Sequence, residues 1–241
     1  MTHTGDSLET RIAAAIRASP GRQRAEGYRR LRELGASTGW RRPDLEALLR
    51  DPSADPALRA FLVWGAAAAD EQSLVDLMVD VWRDEPPIPV AGEIAKALGP
   101  RGLGGEALAD TLTSSTSLAH RQAAAHALGH AEQRDPRVHP ALAQVLADAG
   151  EDPELRGYAA EALGTRRHAE ALPALLRASR DDLAHLRYWA AFALGDLGDG
   201  RALPRLRELV GDRSPVDPWG TVSEAAHRSI ETLEAGEEDP A

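Results

Sequence analysis

The sequence predicts an all-α protein, a solenoid of about seven stacked helical hairpins, and three observations carry that prediction. RQAAAHALG from Arg121 returns as RGYAAEALG from Arg156 and as RYWAAFALG from Arg187, a recurrence every 31 to 35 residues, which is the period of stacked helix pairs. ALPALL from Ala171 and ALPRLREL from Ala202 follow the later copies and set leucines along one face of a second helix. Asp-Pro pairs open several first helices, where Asp caps free amides and Pro loses no hydrogen bond.

Taken in order, a helix from about Leu8 to Arg17, capped by Asp6 or Ser7, is expected to cover the amino-terminal end. Residues 1–20 therefore read as a capping helix, 21–234 as the repeat array, and 235–241, acidic and nonperiodic, as a disordered tail. Repeats start at Gly27, Arg59, Ala91, Arg121, Arg156, Arg187 and Ser223. Asp55-Pro56, Asp152-Pro153 and Asp217-Pro218 are read as first-helix starts. Ala159 with Ala160 and Ala190 with Ala191 form a flat stripe against the neighbouring repeat. Gly35, Gly99, Gly129, Gly164 and Gly195 are expected to close the first helices in the left-handed conformation. Second helices carry Leu45 to Leu49, Leu74 to Val81, Leu108 to Leu112, Leu142 to Leu146, then Leu172, Leu175 and Leu176, then Leu203, Leu206 and Leu209. Pro173 and Pro204 fall in the first turn, where proline is tolerated. A single hairpin buries too little apolar surface to stand alone, so stacking must stabilise it.

The chain has 241 residues, 43% of them hydrophobic, and a formal net charge of −10. That balance argues against nucleic acid as a partner, because phosphate binding needs clustered cations. Charge is uneven: +3 over residues 1–59, −9 over 60–155, +2 over 156–213 and −6 over 214–241. Cysteine is absent, which excludes disulfides and thiolate metal sites. MTHTGDSLETRIAAAIRAS lacks a basic region followed by an apolar core, and no window reaches the length of a membrane span. The expectation is a soluble cytoplasmic protein with no cofactor and no metal.

The phrase Asp-Pro-x-Leu-Arg-x-x-Ala-Ala-x-Ala-Leu-Gly followed by Ala-Leu-Pro-x-Leu resembles the HEAT-like repeats named after phycobilisome lyases. The resemblance is strong from about Leu118 to Leu209 and fades toward both ends. It implies a right-handed superhelix with first helices convex and second helices concave, and a protein-binding surface; it carries no activity with it. HEAT-like deoxyhypusine hydroxylases place His-Glu pairs at helix heads to hold two irons. Here those places hold Arg121-Gln122, Arg156-Gly157, Arg187-Tyr188 and Ser223-Glu224, so that chemistry is missing. HEAT-like alkylpurine DNA glycosylases use Trp with Asp in a basic groove; Trp189 with Asp196, or Trp82 with Asp80, are the residues such an enzyme would recruit. The acidic middle opposes a DNA groove. No pigment-handling motif of the lyases matches residue by residue.

Catalytic motifs do not emerge. GLGG near Gly102 lacks the strand and the GK[ST] ending of a phosphate loop, and there is no nucleophile elbow. His126 and His130 have the i, i+4 spacing of a metal clamp but no carboxylate partner in the pattern. Arg59, Arg121, Arg156 and Arg187 share one repeat place and read as a structural ladder, since a planar guanidinium serves several acceptors. The residues expected to bind a partner are Asp76, Asp110, Gln144, Arg177, Arg205 and Glu208, which fall between the buried leucines of second helices. Arg177, Arg180, Arg201, Arg205, Arg207 and Arg213 form a basic stripe among them. Trp219, in the irregular link DRSPVDPWGT, is the expected aromatic anchor. The sequence thus points to a non-catalytic scaffold holding a protein partner on its second-helix face. The alternatives are an inhibitor or immunity-type binder of a basic protein, and a HEAT-like lyase or glycosylase.

Overall fold

The computed structural model describes Thr10 and residues 42–67, 72–130 and 135–238, without the side chains of residues 64, 65 and 236–238. The expected capping helix, apart from Thr10, and the repeat start at Gly27 lie outside the described residues, as does Gly35. Contacts divide the chain into two compact units, residues 1–98 and 99–241.

The described part of the first unit holds α1 (Arg42–Arg50), α2 (Pro56–Ala67), α3 (Gln72–Arg83) and α4 (Ile88–Leu98). Helix α2 packs on α4 and α1 on α3, giving two layers. Leu45, Leu49, Leu62, Leu74, Leu77, Met78, Trp82, Ile94 and Leu98 are fully buried between them. Asp55 caps α2 as expected, accepting from the Ala57 amide at 2.9 Å.

The second unit continues with α5 (Gly105–Ser114), α6 (Leu118–Gly129), α7 (Val138–Ala147), α8 (Pro153–Thr165), α9 (Leu172–Ala178), α10 (Ala184–Leu197), α11 (Leu203–Leu209) and α12 (Val222–Glu238). First helices α6, α8, α10 and α12 stack in one layer, while second helices α5, α7 and α9 stack in the other. Each second helix also packs on the first helix that follows it, as α7 does on α8 and α11 on α12. The predicted first-helix heads at 59, 91, 121, 156, 187 and 223 all fall inside helices, and each unit is built of packed helical pairs. Pro173 and Pro204 lie in the first turns of α9 and α11, each behind a one-turn 3₁₀ helix.

Two local expectations are corrected. Gly99, Gly129, Gly164 and Gly195 are not left-handed; the positive-φ glycines among the described residues are Gly102, Gly104, Gly198 and Gly220. The repeated glycines instead let first helices touch: a Cβ on Gly99, Gly164 or Gly195 would sit within 2.7 Å of Ala127, Ala193 or Ser229 respectively. Asp217-Pro218 does not start a helix. It forms a cis peptide in the turn of a small hairpin, with β1 (Pro215–Val216) antiparallel to β2 (Gly220–Thr221). Helix α12 begins at Val222 because Thr221 and Glu224 form a reciprocal cap, the carboxylate accepting from the Thr221 amide at 2.7 Å while the Thr221 hydroxyl accepts from the Glu224 amide at 3.2 Å. The helix runs to Glu238, past the point where the acidic tail was expected to begin.

Candidate binding face

The arginine ladder is present and explains how second helices meet the first helices that follow them. Arg59 Nη1 donates to the Leu49 carbonyl at 2.9 Å, Arg121 Nε to Leu112 at 2.8 Å, and Arg156 Nε to Leu146 at 3.1 Å. Each arginine thereby satisfies a carbonyl near the end of the preceding second helix, where the helix dipole favours a cation. The same guanidiniums reach acids of the next repeat: Arg121 to Glu151 at 2.9 Å, Arg156 to Asp181 at 2.8 Å, and Arg187 to Asp212 at 2.7 Å.

Burial pushes the Asp212 carboxyl up, but Arg187 together with the hydroxyl and amide of Ser214 more than reverses this and holds it at about 2. Asp181 is likewise lowered: burial raises it, and the Leu183 amide and Arg156 outweigh the rise. A carboxylate with a folded pKa below its ordinary value of about 3.9 stabilises the fold above that value and loses the contribution as pH falls toward the folded pKa. Between about pH 4 and pH 2 the unfolding transition of the native chain should therefore weaken steeply. Asp212→Asn should flatten that slope, as followed by circular dichroism across an acid series.

Two hollows sit at equivalent rungs. One of about 380 Å³ in the first unit is lined by Leu49, Arg50, Arg59, Val81 and Asp84 among others. One of about 210 Å³ in the second unit is lined at matching repeat places by Leu146, Ala147, Arg156, Ala178 and Asp181. They recur because the rung recurs. Arg59 and Arg156 are committed to backbone carbonyls and Arg50 to Glu46 and Asp84, while exposed Arg177 borders the second hollow; the hollows follow from stacking.

The expected partner-binding residues separate. Asp110, Gln144, Arg177 and Glu208 occupy one repeat place on α5, α7, α9 and α11, and all are exposed. Asp76 is exposed on α3 of the first unit and accepts from Gln72 at 2.8 Å. Arg205 is turned inward, donating to the Ser179 hydroxyl at 3.0 Å, to the Ser179 carbonyl at 2.6 Å and to Glu208 at 2.7 Å. The rest of the basic stripe is also partly spent. Arg180 donates to the Leu176 carbonyl, Arg201 pairs with Asp199, and Arg207 pairs with Glu234.

The first-helix layer presents a different surface. Along α10, His185, Trp189, Phe192 and Asp196 recur at helical spacing on one stripe, each half-buried. Along α8 the matching stripe is Glu154, Tyr158 and Glu161, and α6 adds His126 and His130. Trp189 lies edge-on to Phe192 at 5.8 Å and to Trp219 at 5.6 Å; His126 approaches Tyr158 at 6.1 Å and His130 at 4.2 Å. Gly157 leaves the room for this: a Cβ there would stand 2.9 Å from His185 Nε2 and 3.0 Å from Trp189 Cδ1. Trp219 is 54% exposed. Its backbone is fixed, because its amide donates to Val216 at 2.7 Å and its carbonyl accepts from the Tyr188 hydroxyl at 3.2 Å.

Two carboxylates lie within this surface. Burial pushes the Glu161 carboxyl up, with Asp196 adding to the rise and His130 opposing it. Burial also raises Asp196, with Arg167 opposing. A desolvated carboxylate of this kind gains from any cation brought to it.

Residues 140–226 match the family model for HEAT repeats. Over that stretch the chain carries HEAT repeats. In fold the chain is similar to the Escherichia coli protein YibA, at 19% identity and a TM-score of 0.55 over 94% of this chain and 82% of that one. Human deoxyhypusine hydroxylase, solved with glycerol, aligns at 20% identity and a TM-score of 0.44 over 93% and 84% of the two chains. The CpcE and CpcF complex of phycocyanin lyase from Nostoc aligns at 16% identity and 0.35 over 98% and 97%. No curated protein matches by sequence. No described helix is long and apolar enough to cross a membrane. Trp82, offered by sequence as a base-stacking residue with Asp80, is fully buried, and Asp80 pairs with Arg42 at 2.8 Å.

Proposed function

We propose that this HEAT array is a non-catalytic binding scaffold that holds a partner protein on the first-helix face of its second unit. One observation carries the reading: Trp219, more than half exposed on a pinned backbone, continues through Trp189 into Phe192 as a connected aromatic surface. Exposed aromatic clusters of this kind supply most of the binding energy at interfaces, and a rigid ring loses little entropy on binding. The second-helix face is the weaker candidate, since Arg205 and Glu208 neutralise each other and only part of the row remains available. A glycosylase reading of Trp189 with Asp196 gains no support, because Glu154 and Glu161 on the neighbouring stripe would meet a phosphate backbone with like charge.

The test is affinity capture from the native cell with Trp219→Ala combined with Trp189→Ala, beside Arg177→Glu, each variant first checked for an unchanged helical signal. Partner retention should fall at least about tenfold with the tryptophan pair and stay level with Arg177→Glu. The opposite pattern would move the partner to the second-helix face, and indifference to both changes would remove both faces.

A further inference from the structure

We propose that the occupant of this face is a basic segment of the partner, with one arginine or lysine over Trp189 and Trp219 and another directed at Glu161 and Asp196. The proposal rests on the preceding reading that the first-helix layer binds a protein; it adds the chemistry of what is bound.

Three observations lead to it. The electron-rich faces of indole rings attract cations, guanidinium above all, and Trp189 and Trp219 form the widest aromatic surface on the face. The array already places a guanidinium on this aromatic row: Arg228 lies 6.0 Å from the Tyr188 ring centroid, with Nη2 donating to the Tyr188 hydroxyl at 2.8 Å. Beyond the aromatics stand carboxylates. Glu161 on α8 and Asp196 on α10 are half-buried, and neither carboxylate has a hydrogen bond or ion pair among the described residues. Glu154 extends the negative stripe on α8, where it accepts from Tyr158 at 3.0 Å. Arg167 and Arg228 are the opposing cations around the face, and the His130 ring stands near Glu161. A bound cation would supply the partner that Glu161 and Asp196 lack, and burying both carboxylates against an apolar partner instead would leave them unpaired.

The spacing is specific. Trp189 and Asp196 are seven residues apart on α10, about 10 Å along the helix axis. A polyproline-II segment, with a rise of about 3.1 Å and three residues per turn, covers that distance in about three residues and returns the side chain at i+3 to the same side as that at i. A segment with basic residues at i and i+3 therefore addresses the aromatic and the carboxylate ends together.

The experiment uses the full chain and a fluorescein-labelled peptide of four Arg-Gly-Ser repeats, read by anisotropy. The same peptide with citrulline for arginine keeps the shape and removes the charge. The arginine peptide is expected to bind at least tenfold more tightly than the citrulline peptide. Trp219→Ala should weaken it at least tenfold, and Glu161→Gln with Asp196→Asn at least fivefold. Asp110→Asn, on the other layer, should leave it unchanged and so separate a site from the general attraction of an acidic protein. Equal binding of the two peptides, no binding of either, or equal losses from Asp110→Asn and from the Glu161 and Asp196 changes would each overturn the proposal. If the peptide fails while the tryptophan variants still lose the captured partner, the face stands and its occupant is not basic. If those variants keep the partner, the face itself is wrong.

Discussion

Gly164→Ala is expected to destabilise the second unit by about 3 kcal/mol, the upper part of the range for forcing a methyl into a packed interior. The new Cβ would lie 2.5 Å from the Ala193 carbonyl oxygen, 2.6 Å from its Cα and 2.7 Å from its Cβ. None of these atoms is the end of a flexible chain, so relief requires α8 and α10 to move apart. That separation would loosen Ala159, Ala160, Ala190 and Ala191, all fully buried. Gly92→Ala is the control. It also lies in a helix, yet nothing stands within 4 Å of its added Cβ, and alanine there should be neutral or stabilising by up to about 1 kcal/mol. Urea unfolding of the two variants beside the native chain checks both signs.

Arg156→Ala is expected to cost about 3 kcal/mol, the range for removing one partner of a buried ion pair. The Arg156 side chain is 6% exposed and Asp181 20%. Truncation leaves the Leu146 carbonyl and the Asp181 carboxylate without their shared donor. Arg156→Lys should recover only part of the loss, because one ammonium does not reproduce a fork that reaches a carbonyl and a carboxylate at once. Arg201→Ala offers the contrast: its pair with Asp199 is solvent-exposed on the arginine side, at 68%, and such pairs contribute little. Thermal unfolding should place Arg201→Ala with the native chain and Arg156→Ala well below it.

Much of this fold is legible in sequence because a repeat reports the same environment several times. Arg121, Arg156 and Arg187 recur at one place, and a single physical role explains all three. Most leucines of the second helices are buried where the 3.6-residue period puts them, Leu176 and Leu203 being only partly covered. The glycines were harder to read. A glycine after Ala-Leu suits both a left-handed helix end and a close helix crossing, and only the position of Ala193 against Gly164 separates the two. Asp217-Pro218 copies the helix-start signal of Asp152-Pro153, but the competing cap of Thr221 with Glu224 sets where α12 begins.

The proposed binding face was the least legible part. Periodicity tells which residues leave the solvent, not which of two layers keeps a functional surface. Trp219 could be singled out from its loop, but its contact with Trp189 spans 30 residues and depends on the hairpin fold. A signal did exist: two places after each repeat head from Arg59 onward stand Phe61, Glu93, Ala123, Tyr158, Trp189 and Ala225. Large aromatics on two successive first helices, at a place where the flanking repeats use alanine, mark a surface that stacking alone does not require.

The most direct test follows the indole N–H resonances of the full chain while the Arg-Gly-Ser peptide is added. Trp189 and Trp219 should shift together and saturate at the peptide's binding constant, with fully buried Trp82 unmoved. Indoles that stay in place while the Gln144 side-chain amide and the Arg177 guanidinium shift would contradict the account.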